Sequence, residues 1–349
     1  MHRLASLLIF LLSLCSGSLL AQESEKAPVQ KHIALLLPLH SAVFGRAADA
    51  FRQGYMTAAT FQPSLPIVSY PTADQTEDIL PVYRQAIQSG AVLVVGPLTH
   101  NAVAALLEEP LPVPTLALNT PEYNSALPQN LYIFSLNVES EARQIARQAF
   151  AEGYRSALTV TATTPLSKRV VGAFSGEWIK LGGTIAEQLN FTLNQSGYPK
   201  LRAAVAKTEA DMLFLAADAE KARAVRPYLG RTIPTYATSQ IYGDNGQSRR
   251  NLDLNQIRFI EMPWLIQPDH PAVIIYPRPA SPLRVEQERF YALGIDAYRI
   301  GVQLLAPTPD AWPLDGVTGQ IDLNGRQFTR ELTAVQFRQG EAVAIHGAH

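Results

Sequence analysis

The run His32-Ile-Ala-Leu-Leu-Leu-Pro-Leu-His40 is apolar from Ile33 to Leu37 and breaks at Pro38 into a polar loop beginning at Ser41. Continuous apolar runs of this kind are strands covered by helices on both faces. The Ala-rich stretch from about Phe44 to Thr60 then reads as a helix. Together they make the first βα unit of a doubly wound sheet, in which ligands bind outside the carboxyl ends of the strands. The alternation continues with strands at Pro66–Tyr70, Ala91–Val95, Pro114–Leu118 and Leu131–Phe134. Helices fall between them, at Asp78–Ser89 and through Leu107.

A helix over Val138–Ala151 opens a second series. Its strands are expected at Ser156–Thr161, Thr184–Phe191, Asp211–Ala216 and Pro234–Thr238. The intervening helices are Leu166–Leu181, closed by the C-cap signal Gly182-Gly183, then Tyr198–Lys207 and Ala219–Leu229. Residues 263–282 are proline-rich and read as an extended crossing segment. Arg284–Leu305 is again helical, with Leu293, Ile295, Tyr298 and Ile300 near its apolar face, and returns to the first lobe. Asn324-Gly325 is a strong hairpin turn, so residues 316–349 read as a β-hairpin region on the rim.

The expected fold class is therefore α/β, with two doubly wound lobes and mainly parallel sheets. Lobe I takes residues 32–137 plus about 283–315, and lobe II takes 138–262. A length of 349 residues suits two domains rather than one core. The formal net charge of −1 gives no field to gather nucleic acid or an anionic membrane.

Residues 1–21 have the form of a signal peptide: His2 and Arg3, an apolar run from Leu4 to Leu14, then small residues up to Ala21. The strictly apolar part is a helix of roughly 16 Å against roughly 30 Å of bilayer hydrocarbon, so no membrane span is expected. Residues 22–31 read as a disordered polar linker. The mature protein is thus expected in the periplasm. Cys15 is the only cysteine. Leu12-Ser13-Leu14-Cys15 partly matches a lipidation signal, although Leu14 stands where a small residue is expected. Cleavage after Ala21 is the plainer reading; lipidation of Cys15 would instead anchor the protein at the outer membrane.

No catalytic set emerges. The seven histidines are scattered, with no metal-site spacing, and the terminal pair His346 and His349 reads as a frayed tail. No nucleophile elbow or phosphate loop is present, and no cofactor is called for. Asp296 reads as a structural hydrogen-bond or salt-bridge residue, and Phe174 with Trp178 as core packing. The polar residues at strand ends are candidates for contacts to a ligand in the cleft. On lobe I they are His40, Ser41, Thr99, His100, Asn119 and Thr120. On lobe II they are Thr163, Ser239, Gln240 and Tyr242, with Thr164 beside them. Each has a plainer account. Ser41 and Thr99 suit helix caps, Asn119 and Thr120 suit turn chemistry before Pro121, and Tyr242 suits rim packing.

Two such lobes with a returning helix resemble the type I periplasmic-binding-protein fold. Several stretches narrow the likeness: Ile33 to Arg46, Arg169 to Trp178 with Leu181-Gly-Gly183, and Ala237 to Tyr242. Tyr291 to Tyr298, Gly316 to Gly319 and Asn324 to Leu332 add to it. Together they resemble the C-terminal domain of the LppC/LpoA-type penicillin-binding-protein activators, over nearly all of the mature chain. The resemblance implies an outer-membrane lipoprotein without chemistry of its own. Its partner would be a class A penicillin-binding protein, whose peptidoglycan cross-linking it stimulates. Larger relatives carry a helical, TPR-like domain between signal and first strand, where this chain has residues 22–31. The alternative is a solute receptor of the ABC-transporter type whose lobes close on an amino acid or similar small molecule. An exported hydrolase has no residues to rest on. A cleft filled by the protein's own side chains favours the regulator; polar groups converging from both lobes around an empty space favour the receptor.

Overall fold

The computed structural model describes residues 30–73, 78–121, 126–243, 248–307 and 312–345. The signal segment, Cys15, His346 and His349 lie outside the described residues. The first lobe begins β1 (His32–Leu37), α1 (Gly45–Phe61), β2 (Ile67–Pro71), α2 (Ile79–Gln88), β3 (Ala91–Val95), α3 (His100–Ala105), β4 (Thr115–Ala117) and β5 (Leu131–Ile133). The chain then crosses to the second lobe. There it forms α4 (Val138–Ala151), β6 (Ser156–Ala162), α5 (Pro165–Lys180), β7 (Thr184–Phe191), α6 (Tyr198–Lys207) and β8 (Met212–Ala216). The second lobe continues with α7 (Ala219–Val225), β9 (Thr235–Ala237), α8 (Ser248–Asn251) and β10 (Arg258–Glu261). These sheets are parallel where they are central, and their strands are fully buried at β1, β4, β8 and β9.

Residues 263–282 depart from the extended crossing expected of them. They contain two single-turn helices, α9 (Pro263–Ile266) and α10 (Pro271–Ile274). Prolines 263 and 271 begin these turns instead of excluding them, because the first helical position needs no N–H. Trp264, Ala272 and Val273 from this stretch are buried in the first lobe's core. The long α11 (Val285–Leu305) then lies against α1. Gly54 and Gly294 let the two helices meet backbone to backbone. A Cβ at Gly54 would run into the Tyr291 carbonyl, and one at Gly294 into that of Phe51.

The tail is also more than a rim hairpin. It forms β11 (Leu314–Gly316), β12 (Gly319–Asn324), β13 (Gln327–Glu331), β14 (Thr333–Arg338) and β15 (Glu341–Ala344). The first three extend one sheet, giving the order β11-β12-β13-β5-β4-β3-β1-β2; the last two extend the other, β15-β14-β10-β9-β8-β6-β7. The hairpin turn at Asn324-Gly325 forms as the sequence suggests, with Gly325 at φ 61°. What alternation alone does not reveal is the crossing at Leu332, which sends Phe328 into one core and Val335 and Phe337 into the other.

The second lobe's other face is held by aromatic stacking. Phe174 lies flat on Phe214 at 4.1 Å and beside Trp178 at 5.5 Å, as the i, i+4 spacing suggests. The Trp178 indole donates to the Thr184 carbonyl (2.9 Å), beyond the α5 terminus that Gly182 closes at φ 95°.

Candidate functional site

Three strands of chain join the lobes, and a cluster of buried charge sits where they pass. The first crossing ends at Asn137, whose Oδ1 accepts from the Ser140 N–H (2.8 Å) and so caps α4. The third is gripped by Gln144 of α4, which donates to the Leu332 carbonyl (2.8 Å) and accepts from its N–H (3.0 Å). At the second, Glu261 ends β10 and receives the Arg289 side chain from α11. Arg289 Nη2 lies 2.5 Å from Glu261 Oε2 and its Nε lies 3.4 Å from Oε1. The same Nη2 donates to the carbonyls of Ser239 (2.9 Å) and Tyr242 (2.8 Å). Arg289 therefore carries the first lobe's helix into three acceptors of the second.

Glu141 of α4 completes the cluster, accepting from the Ser239 N–H (3.1 Å). Burial pushes its carboxyl pKa up; the Arg330 charge opposes that shift and the Glu261 charge adds to it. Burial works against the Arg289 charge too, but Glu261 outweighs it and holds the guanidinium above its ordinary value. Arg330 is pushed down by burial. Asp296 is fully buried and bonded to Thr318 through N–H (2.8 Å) and hydroxyl (2.7 Å), and to the Val317 N–H (3.2 Å). Burial still raises its pKa, against Arg299 and these donors. It holds structure, as its place in the sequence suggests.

The strand-end candidates are distributed between the lobes. Ser41 is buried, and its Oγ accepts from the Val43 (3.1 Å) and Phe44 (2.7 Å) N–H groups, tightening the turn into α1. His40 and His100 are exposed. Thr99 occupies the N-cap of α3 without a side-chain cap bond. Asn119 donates to the Leu98 carbonyl (3.0 Å) and accepts from the Thr120 N–H (2.9 Å). Thr120 shares a hydroxyl bond with Ser135 (3.1 Å). On the second lobe Thr163 is exposed, whereas Thr164 caps α5 by accepting from the Ser167 N–H (3.1 Å). Ser239 is buried and engaged through its backbone. Gln240 lines a small recess with Thr164, Asp218 and Thr238. Tyr242 stacks on Phe259 at 6.0 Å. Among the described residues, no hydrogen bond joins the lobe I candidates to those of lobe II.

Two larger cavities open nearby. One, of about 450 Å³, lies where Tyr242 meets Arg278 and Glu288. Its wall is braced by Arg278, which sits 4.0 Å over the Trp264 ring and donates to the Trp264 carbonyl (2.7 Å). The other, of about 380 Å³, lies between β7 and α6 with Thr163 on its rim. Among the described residues no group of His, Cys, Asp and Glu side chains could hold a metal ion, and no helix is long and apolar enough to cross a membrane.

Sequence reasoning passed over Glu141, Gln144, Glu261, Arg289 and Arg330. Glu141 and Gln144 sit in a helix whose many polar residues look solvated. The one visible signal is Glu261, a carboxylate closing the apolar run Phe259-Ile260 just before Met262-Pro263.

The family model described as "LppC putative lipoprotein" matches residues 21–340. The chain belongs to the LppC family. Penicillin-binding protein activator LpoA of Klebsiella pneumoniae is 27% identical over 326 residues, covering 82% of this chain and 46% of its own length. The chain spans about half the length of the curated relatives it matches. Among solved structures, the LpoA C-domain from Haemophilus influenzae, described as a regulator of PBP1A, superposes with a TM-score of 0.74 at 24% identity. The match covers 90% of this chain and 100% of that one. A chain from Chromobacterium violaceum described as "a putative branched-chain amino acid ABC transporter" is 38% identical, with a TM-score of 0.75. That match covers 87% of this chain and 99% of the other. The two-lobed, parallel-sheeted fold is thus that of the LpoA C-domain and of the periplasmic-binding-protein-like chains.

Proposed function

We propose that this LppC-family protein is a non-catalytic regulator of the cell envelope that docks on a class A penicillin-binding protein and stimulates its cross-linking of peptidoglycan. One observation carries this reading: Ser41, Asn119 and Thr120 at the strand ends, and the charged cluster at the hinge, are satisfied within the chain. Ser41, Asn119, Thr120 and Ser239 bond to their own neighbours, and Arg289 pins α11 to the second lobe. A receptor needs lobes that close on a ligand and groups left open to hold it. The activator name of the LpoA relatives supports the same reading. The leader at residues 1–21 supports export to the periplasm, with anchoring at the outer membrane if Cys15 is lipidated.

The second reading is a solute receptor for an amino acid or similar small molecule, favoured by the description of the Chromobacterium violaceum chain. Purified mature protein separates the two. A regulator binds a class A penicillin-binding protein and raises its cross-linking rate. Absence of binding, with a clear thermal shift from one amino acid, reverses the ranking.

A further inference from the structure

A continuous apolar patch stands in solvent on the first lobe. In α10, Ala272 and Val273 are buried in the core, whereas Ile274 (68%) and Ile275 (53%) beside them are exposed. Tyr276 then meets Phe61 edge-on, with 5.6 Å between ring centroids, and Phe61, the last residue of α1, is itself 52% exposed. The buried Val273 and the Tyr291 hydroxyl on the Pro277 carbonyl (3.1 Å) hold this segment with the isoleucines outward. On the second lobe the exposed Ile179, Leu193 and Leu252 are scattered over three separate segments.

Phe61 also fixes which end of the lobe carries the patch. From α1 the chain passes through the uncharged residues 62–66 into β2, which runs parallel to β1 with Ile67 opposite Ile33. The patch therefore lies toward the end at which the chain enters β1, away from the cleft. Few free charges lead into the parallel strands at this end. Among the described residues, Glu109 is paired with Arg84 (2.7 Å) and Arg326 donates to the Pro128 carbonyl (3.2 Å), which leaves Lys31. The corresponding residues of the second lobe include Glu152, Arg155, Glu209, Asp211 and Arg231.

A lipid on Cys15 brings this same end to the bilayer, because between Cys15 and His32 the chain spans at most roughly 60 Å. Tethering on that scale turns a weak surface contact into an intramolecular one at millimolar effective concentration. We propose that Phe61, Ile274, Ile275 and Tyr276 are the face on which the first lobe rests against a lipid surface, with the apolar tips at the headgroup and acyl boundary. The contact is apolar, since a net charge of −1 supplies no attraction to anionic lipid. It turns the cleft end of the lobe away from the membrane, toward a partner enzyme. The inference rests on the reading that Cys15 anchors the protein.

For the test, the chain from Cys15 onward is coupled through that residue, its only cysteine, to a maleimide lipid. The vesicles are phosphatidylethanolamine with a minor share of phosphatidylglycerol. Brominated lipid should quench roughly half of the emission added by I275W, and leave unchanged that added by L252W on the second lobe. The quenching persists in salt and without phosphatidylglycerol. I274D in the I275W background abolishes it at an unchanged melting temperature, because Ile274 is exposed. Equal quenching of I275W and L252W, quenching of neither, or quenching lost in salt overturns the proposal. So does self-association through the patch before vesicles are added. Loss of synthase stimulation by I274D in a vesicle-free assay also overturns it, by assigning the patch to the enzyme. Chemical coupling supplies the anchor, so this outcome is separate from whether the cell lipidates Cys15, which mass spectrometry of the mature N-terminus reads.

Discussion

Arg289 and Glu261 form a buried ion pair that joins the two lobes, with Arg289 7% and Glu261 0% exposed and 2.5 Å between Nη2 and Oε2. Glu261 also accepts from the Met262 N–H (3.0 Å), and Arg289 is shared with two carbonyls, so neither charge depends on the other alone. Such pairs give little net stability over apolar replacements, but they fix geometry. Here the geometry fixed is the angle between α11 and the end of β10.

Breaking the pair on one side strands a charge. R289M should destabilise the protein by about 3–5 kcal/mol, because Glu261 is then buried without its counter-ion. R289M combined with E261L should recover most of that loss, and urea denaturation of the three forms checks it. Equal destabilisation in the single and double variants would show that the carbonyl contacts, not the ion pair, hold the junction.

Glu141 makes stability depend on pH in a stated direction. Burial raises its folded pKa above the ordinary 4.5, so in the window between the two the folded state binds more protons than the unfolded state. Its contribution is therefore fully present below the unfolded pKa and is lost as pH rises through the folded one. E141Q keeps an acceptor for the Ser239 N–H and has no proton to lose. The stability of E141Q relative to the parent should rise from pH 4 toward neutrality, by roughly 1.4 kcal/mol for each pH unit between the unfolded and folded pKa values. Denaturation midpoints across that range measure it, and a flat difference refutes it.

The sequence speaks plainly where burial is two-sided. β1 and β3 are apolar runs, and Val138–Ala151, Thr184–Phe191 and Tyr198–Lys207 stand at the bounds that periodicity and capping suggest. It speaks poorly where a segment's role is set by a distant partner. β10 escapes notice because its four residues begin with Arg258 and end with Glu261, a pattern that reads as surface until Arg289 is seen above it. The tail strands show the same limit: the Asn324-Gly325 turn marks the hairpin of β12 and β13, but β14, β15 and the switch of sheets at Leu332, held by Gln144 188 residues away, are not legible locally. For the strand-end residues the sequence offers both a ligand contact and a local cap or turn bond, and only the structure shows which bond forms: Ser41 and Asn119 engage the backbone, while Thr99 makes no side-chain cap bond.

The helix crossing should be intolerant of a single methyl. G294A places a Cβ against the Phe51 carbonyl and the Tyr55 N–H, backbone atoms that cannot rotate away. Overpacking of this kind costs about 1–3 kcal/mol or more even where side chains can yield. A cost at or above about 3 kcal/mol by denaturant titration is expected. By contrast, G172A and G176A on α5, with open space around them, should be stabilising by up to about 1 kcal/mol.

Asn119 and Thr120 give the sharpest separation of a regulator from a receptor. Both stand at the carboxyl end of β4, where a receptor's ligand would sit. Yet Asn119 is spent on the Leu98 carbonyl and the Thr120 N–H, and Thr120 on the Ser135 hydroxyl. If these bonds are their whole role, N119A and T120A each lose about 1 kcal/mol of stability and nothing else. Stimulation of a class A penicillin-binding protein by either variant should then equal that of the parent at temperatures where both are folded. If the residues instead hold a ligand, the variants keep most of their stability and lose a ligand-induced thermal shift. The two measurements on the same two proteins move in opposite directions under the two functions, so one pair of variants decides between them.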